Sequence, residues 1–431
     1  MSTSQDIRQR IEARISQGEF LANLLRLSAT HSGEVQATFI STLSSIAEAV
    51  RSLLEVNGLL RKFSYRPASY WPELRGRTFA FLDGGVASID LPSAAPIGVR
   101  VGSYFVKPGD TTAEREQFNI ELSIVDDLYS ERGVLYDDDF DDVAKLRDAA
   151  RIICEAAASY RVAKGIKAPT PDAILLHGPL VNPASPYGLS DFPPFGLKAC
   201  QEMLGDDSWN GNEREREFVA FYLVLLERLR ETRTPVVGVV ERAVGKEPVV
   251  LRNILRGLQD QGILPLSSLE EIMANARAFA LNDASLFDVV LQAGEYIAPM
   301  AVNRQGLEGK WPDGWKEQIR TYPSALTTYL KPAELVLPFR VEAFEGDDSF
   351  ESVLDLVFHT SRLLPSYGFP VGLDIVDKFA KVPAWMSRGV RGQHSIVLLQ
   401  KALASGDPTA MAFAKRVLMA KGRDWLFRPS A

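Results

Sequence analysis

Asp83 closes an apolar run, Thr78-Phe79-Ala80-Phe81-Leu82, and is followed by Gly84-Gly85. In an open α/β sheet, functional groups gather where strands run out at their carboxyl ends. Glycines at such a place allow unusual backbone angles or the close approach of a ligand, and a plain Asp-Gly turn is the competing reading. His177 repeats the design, because the apolar run Ala173–Leu176 leads into His177-Gly178-Pro179-Leu180. Imidazole binds metals and moves protons, although a lone histidine also serves structurally. Glu121 lies on the polar face of a segment in which Phe118, Ile120, Leu122 and Ile124 alternate with Asn119, Glu121 and Ser123; a glutamate facing water is the plain alternative there. Asp377 shares the apolar stripe of a helix predicted over Gly372–Val382, with Leu373, Val376 and Ala380. A carboxylate aimed inward needs a cation, a metal or hydrogen-bond donors, and a neighbouring arginine or backbone amide would also serve. Three carboxylates and one imidazole suit one or two Mg²⁺ or Mn²⁺ ions. Spacing alone leaves open whether they converge.

The elements that must position these groups alternate between strand and helix. Strands are predicted at 78–82, Ile97–Val106, Phe118–Val125, Ala173–Leu176, Pro235–Val240 and Leu335–Phe344. Val143, Leu146, Ala150, Ile153 and Ala157 form one stripe of a helix over Asp142–Lys164. Further helices are predicted over 213–231, from Val249 to Ala293, over Phe350–Leu364 and over Gly372–Val382. Alternation of this kind favours an α/β sheet covered by helices. Before it, Ile7, Ile11 and Ile15, then Phe20, Leu21, Leu24 and Leu25, recur near helical spacing, and a proline-bearing stretch follows at Ser64–Leu74. The expected organisation is an N-terminal helical arm and linker over 1–75 and a main body over 76–431, with a helical insertion around 249–330.

Composition narrows the classes. The chain has 431 residues, 46% hydrophobic and 24% charged, values of an ordinary globular protein. No apolar run approaches the ~20 residues that span a bilayer. Met1 to Arg14 carries charges of both signs without an apolar core, so no secretory signal is read there and a cytoplasmic location is expected. Cys154 and Cys200 are too few for a disulfide framework or a cysteine-built zinc site. A net charge of −7 argues against a module that holds nucleic acid by charge alone, but a metal-dependent nuclease concentrates carboxylates and can receive its substrate from a partner. The five aspartates of Asp137–Asp142 suit a solvated loop capping the next helix. No Gly-x-x-x-x-Gly-Lys-Ser/Thr loop is present, so the chain is not expected to be an ATPase itself.

Five segments stand in a suggestive order. They are Phe81-Leu82-Asp83-Gly84-Gly85, Asn119-Ile120-Glu121-Leu122, Leu175-Leu176-His177-Gly178-Pro179-Leu180, Pro235–Val240, and Gly368-Phe369-Pro370 with Leu373 and Asp377. Together they resemble the NurA nuclease family: its opening Asp-Gly-Ser/Gly motif, its glutamate strand, its Leu-Leu-Asp-Gly-Ser/Pro-Leu segment and following strand, and its C-terminal Gly-Tyr-Pro helix. The resemblance implies an RNase H-like mixed sheet, an Mn²⁺ or Mg²⁺ cofactor, DNA as substrate, and Asp83, Glu121, His177 and Asp377 as the catalytic, metal-holding set. It also implies a homodimer that pairs with HerA, a hexameric DNA-translocating ATPase, in DNA end processing or anti-phage defence. Two positions depart from the pattern: His177 replaces an aspartate, and Glu241 stands where the family often has lysine. A subunit that joins the ATPase without cutting is the alternative, and an RNase H-like nuclease acting on RNA is a third reading.

Overall fold

The computed structural model describes residues 19–88, 97–125, 140–166, 168–181, 204, 218–241, 248–301, 321–364 and 367–419. The periodicity expected at Ile7–Ile15, the side chains of Phe20 to Leu25, the aspartates at 137–139, the side chains of Asp141 and Asp142, and Cys200 lie outside what is described. In chain order the elements begin with α1 (Glu19–Val56), β1 (Leu60–Lys62), α2 (Pro67–Glu73), β2 (Phe79–Ser88), β3 (Ile97–Val106) and β4 (Glu116–Val125). There follow α3 (Phe140–Ala163), β5 (Ala173–His177), α4 (Phe218–Glu231), β6 (Val236–Val240), α5 (Val249–Asp260), α6 (Leu266–Ala278) and α7 (Asp283–Val290). The last are β7 (Glu295–Ile297), β8 (Met300–Ala301), β9 (Ala325–Leu330), β10 (Phe339–Phe344), α8 (Phe350–Ser361), α9 (Val371–Ala380), α10 (Ala384–Ser405) and α11 (Pro408–Met419).

The chain divides into two compact units, one of residues up to Leu59 with Gly245–Val290 and one of Leu60–Val244 with Leu291–Ala431. The first unit is helical. Leu251, Ile254, Leu255 and Leu258 form the buried stripe of α5. The carboxylate of Asp283 accepts the backbone N–H groups of Val250 and Leu251, both at 2.9 Å, and so satisfies two donors that the helix start leaves open.

The second unit is built on one mixed sheet with strand order β1-β7-β9-β10-β6-β5-β2-β3-β4, and β8 beside β9. β2, β3 and β4 form an antiparallel meander, while β2, β5 and β6 run parallel. This is the order of an RNase H-like core, and the α/β class expected from the alternation holds. Side chains alternate across the sheet. Ala80 and Leu82 of β2 join the apolar core that α3 and α4 cover, whereas Phe79 and Phe81 join the core that α8 and α9 cover.

Three local expectations change. β2 does not stop at the glycines but runs on to Ser88, pairing with β3 as far as Ile97. The stretch Ser64–Leu74 read as a linker holds the short helix α2, whose Tyr70 is buried, and just before it β1 pairs with β7. In β4 the apolar side is the more open one: Phe118, Ile120 and Leu122 are 42–44% exposed. β4 is the edge of the sheet, and α9 meets that side at Phe379, whose ring lies 4.9 Å from Phe118. Among the described residues, no helix is long and apolar enough to cross a membrane.

Candidate metal centre

Polar groups stand where the parallel pairing of β2 with β5 runs out, at Leu82 and Leu176. Asp83 follows Phe79 and Phe81 on the α9 side of β2 and is 6% exposed. Its Oδ1 accepts the N–H of Gly84 at 2.8 Å, which fixes the carboxylate. Leu176 of β5 pairs with Leu82 of β2, so His177 emerges one residue further on, beside Asp83. The imidazole Nδ1 lies 3.2 Å from Asp83 Oδ2. His177 in turn pairs with Val239 of β6, and Glu241, two residues beyond on the same side, places its Oε2 3.9 Å from His177 Nε2. The Phe369 ring, 5.4 Å away centre to centre, closes one flank of the imidazole.

Asp377 arrives from α9, and close packing puts it there. A β-carbon on Gly85 would lie 2.2 Å from the backbone oxygen of Ala380, so any larger residue would push the helix away. On the other face, a β-carbon on Gly84 would meet Glu155 of α3 at 2.6 Å. The two glycines after Asp83 therefore serve close approach from both faces, and no turn forms there. One ligand atom from each of Asp83, His177 and Asp377 lies within 4.8 Å of the others. Two carboxylates and an imidazole are a donor set that fits a divalent ion such as Mn²⁺, and Mg²⁺ less well because it favours all-oxygen surroundings.

Glu121 is not brought to this group. It pairs in register with Val101, which pairs with Gly84, so its side chain projects on the α3 side of the sheet. There it forms an ion pair with Arg161 of α3, which is buried. Alternation along β4 puts Glu121 on the side away from Phe118 and Ile120, but that side is the one opposite Asp83.

Three groups were not singled out from the sequence. Glu155 is buried under Gly84 and held by Arg151 at 2.8 Å. Burial pushes its carboxyl up to about 7; Arg151 opposes this and the charge of Asp83 adds to it. Lys381, one turn beyond Asp377, forms an ion pair with it, and that hydrogen bond raises the ammonium above its usual range. Tyr367 donates its hydroxyl to Asp374 Oδ1 at 2.6 Å near the rim. Glu155 stands in the alanine-rich stretch Glu155-Ala156-Ala157-Ala158, which carries no mark of a site. For His177, burial lowers the pKa, but the hydrogen bond and charge of Asp83, with the charges of Asp377 and Glu241, outweigh it and raise the imidazole above 6.5.

The family model for the NurA domain matches residues 77–382, more than half of the chain, and includes Asp83, Glu121, Glu155, His177, Glu241 and Asp377. Among solved structures, the NurA nuclease from Sulfolobus solfataricus is 13% identical, with 85% of this chain and 96% of that one covered and a TM-score of 0.48. A second structure, described as NurA, is 10% identical, with 90% and 100% covered and a TM-score of 0.45. A third, of NurA with manganese, is 12% identical, with 85% and 97% covered and a TM-score of 0.41. Comparison with curated proteins gave no match. On the extent of the domain match, the chain belongs to the NurA family.

Proposed function

We propose that this chain is a metal-dependent DNA nuclease. The observation that carries the reading is the convergence of Asp83, His177 and Asp377 just past the parallel pairing of β2 with β5, inside the NurA domain. Asp83, Asp377 and a neutral His177 would hold Mn²⁺ or, less tightly, Mg²⁺. Such an ion lowers the pKa of water and neutralises charge on a phosphate. The residues do the rest. The N–H of Gly84 pins the Asp83 carboxylate, and Lys381 keeps an ammonium beside Asp377 where an anionic backbone would enter. Glu155 and Arg151 buttress β2 from behind.

The net charge of −7 supports delivery of DNA by a partner, in keeping with a HerA-like hexameric ATPase, a homodimeric nuclease and a role in DNA end processing or anti-phage defence. The deciding experiment is cleavage of linear duplex DNA in Mn²⁺ and in Mg²⁺, with and without the ATPase. Cutting that needs metal and disappears in Asp83→Ala and Asp377→Ala bears the reading out. One observation favours a second reading, a subunit that assembles without cutting: Asp83 and Asp377 already face His177 and Lys381 as basic partners. Absence of cutting in all conditions, with the ATPase bound, would select it.

A further inference from the structure

We propose that the exposed stripe of α10 is where a second copy of this chain docks, with the two α10 helices running antiparallel. The inference rests on the homodimer of the proposed function and deepens it by naming its surface. α10 begins at Ala384, just past the matched domain, and packs chiefly on α11. Ala402 is its one buried residue among those described. The open side is not polar. Trp385, Gly389, Gly392, Ile396, Leu399 and Leu403 recur at steps of four and three residues, the spacing that keeps one seam of a helix turned toward another helix. Trp385, Ile396 and Leu403 are 66%, 50% and 58% exposed. The seam runs for about five turns and carries no charge.

Size and charge identify the occupant. Glycine weakens the interior of a helix, and no described atom lies within 4 Å of a β-carbon added to Gly389 or Gly392. No contact among the described residues offsets that cost, whereas the close approach of another helix would. An antiparallel copy centred at the level of His394 brings Gly392 opposite Ile396, Gly389 opposite Leu399 and Trp385 opposite Leu403. Each large side chain near the centre then meets a glycine. The pattern is its own complement, as a two-fold interface requires. The same pairing sets Arg388 opposite Gln400, Arg391 opposite Val397 and Lys401 opposite Ser387, so no cation meets a cation. Parallel pairing would set each of these cations against its own copy and leave glycine facing glycine.

The test is the mass of the full chain by sedimentation equilibrium across a dilution series, with circular dichroism as the check on folding. The parent should be a dimer. Gly392→Ile fills the room needed by Ile396 of the partner subunit and should weaken self-association by roughly tenfold or more, with helicity kept. Ile396→Lys should do the same. Combining Gly392→Ile with Ile396→Gly exchanges the members of the pair and should restore association to near that of the parent. A dimer unchanged in Gly392→Ile and in Ile396→Lys would overturn the seam and leave the homodimer standing. Failure of the exchange variant to recover, with its helicity intact, would overturn the antiparallel pairing and the proposal with it. A parent that is monomeric at every concentration would overturn both the seam and the homodimer, while the nuclease reading is judged separately by cutting.

Discussion

The two faces of the sheet around Asp83 and Gly84 carry similar residues to different ends. On the α3 face, each carboxylate has its own guanidinium: Glu121 with Arg161 and Glu155 with Arg151. On the α9 face, Asp83 and Asp377 converge with His177, while Lys381 pairs with Asp377 and Glu241 lies 3.9 Å from the imidazole. Paired charges under helix cover hold a fold together, because breaking such a pair strands a buried charge. Acidic groups that converge on one imidazole do the opposite, and are tolerated where a metal completes them. The comparison teaches that acidity alone does not mark a site; convergence of the groups on one point does.

The sharpest way to break the comparison is to remove an acid from each face. Asp83→Ala should lower cutting by about 10³-fold, the scale of losing a group that stabilises charge in the transition state, and leave Tm within a few degrees. Glu121→Gln should do the reverse, because it leaves Arg161 buried without its carboxylate. A loss of about 3 kcal/mol is expected in denaturant melts, while cutting per folded molecule stays as in the parent. Loss of metal binding in Glu121→Gln would erase the distinction between the faces.

A milder intervention targets spacing. Gly85→Ala forces α9 off the sheet and should cost about 2 kcal/mol by overpacking. Mn²⁺ affinity should fall with it, since Asp377 moves with the helix. Gly257→Ala is the control, because nothing lies within 4 Å of its added carbon.

The smallest effect is in the pH dependence of stability without metal. Both Glu155, raised to about 7, and His177, raised above 6.5, bind protons more tightly folded than unfolded. Their contributions are fully present below the unfolded values of 4.5 and 6.5 and are lost as pH rises through the folded ones. The metal-free Tm should therefore fall between pH 4.5 and about 7 and a little beyond, and Glu155→Gln should flatten the first part of that slope. Saturating Mn²⁺ should oppose the decline, since a ligand imidazole must be neutral.

Much of this was legible in the residues themselves. The apolar run before His177 marked the end of β5, that before Asp83 marked a strand which runs on to Ser88, and the Leu373–Val376–Ala380 stripe aimed Asp377 inward. Alternation in β4 separated Glu121 from Phe118 and Ile120, but which side of a sheet faces the site depends on register with β3 and β2, and a period of two carries no such information. Glu155 and Glu241 acquire meaning only from neighbours far away in the chain. The glycines after Asp83 read as a turn or as room for a ligand, whereas packing brings α9 against Gly85 and Glu155 of α3 against Gly84.

Asp83 and Asp377 stand near opposite ends of the matched domain, residues 77–382. During synthesis the first is exposed long before α9 leaves the ribosome, and closing so long a loop comes late in folding. A chain that stops before α9 thus holds Asp83 and His177 without Asp377. The group that would hold a metal is complete only once the chain has been made through α9, however early its first member is exposed.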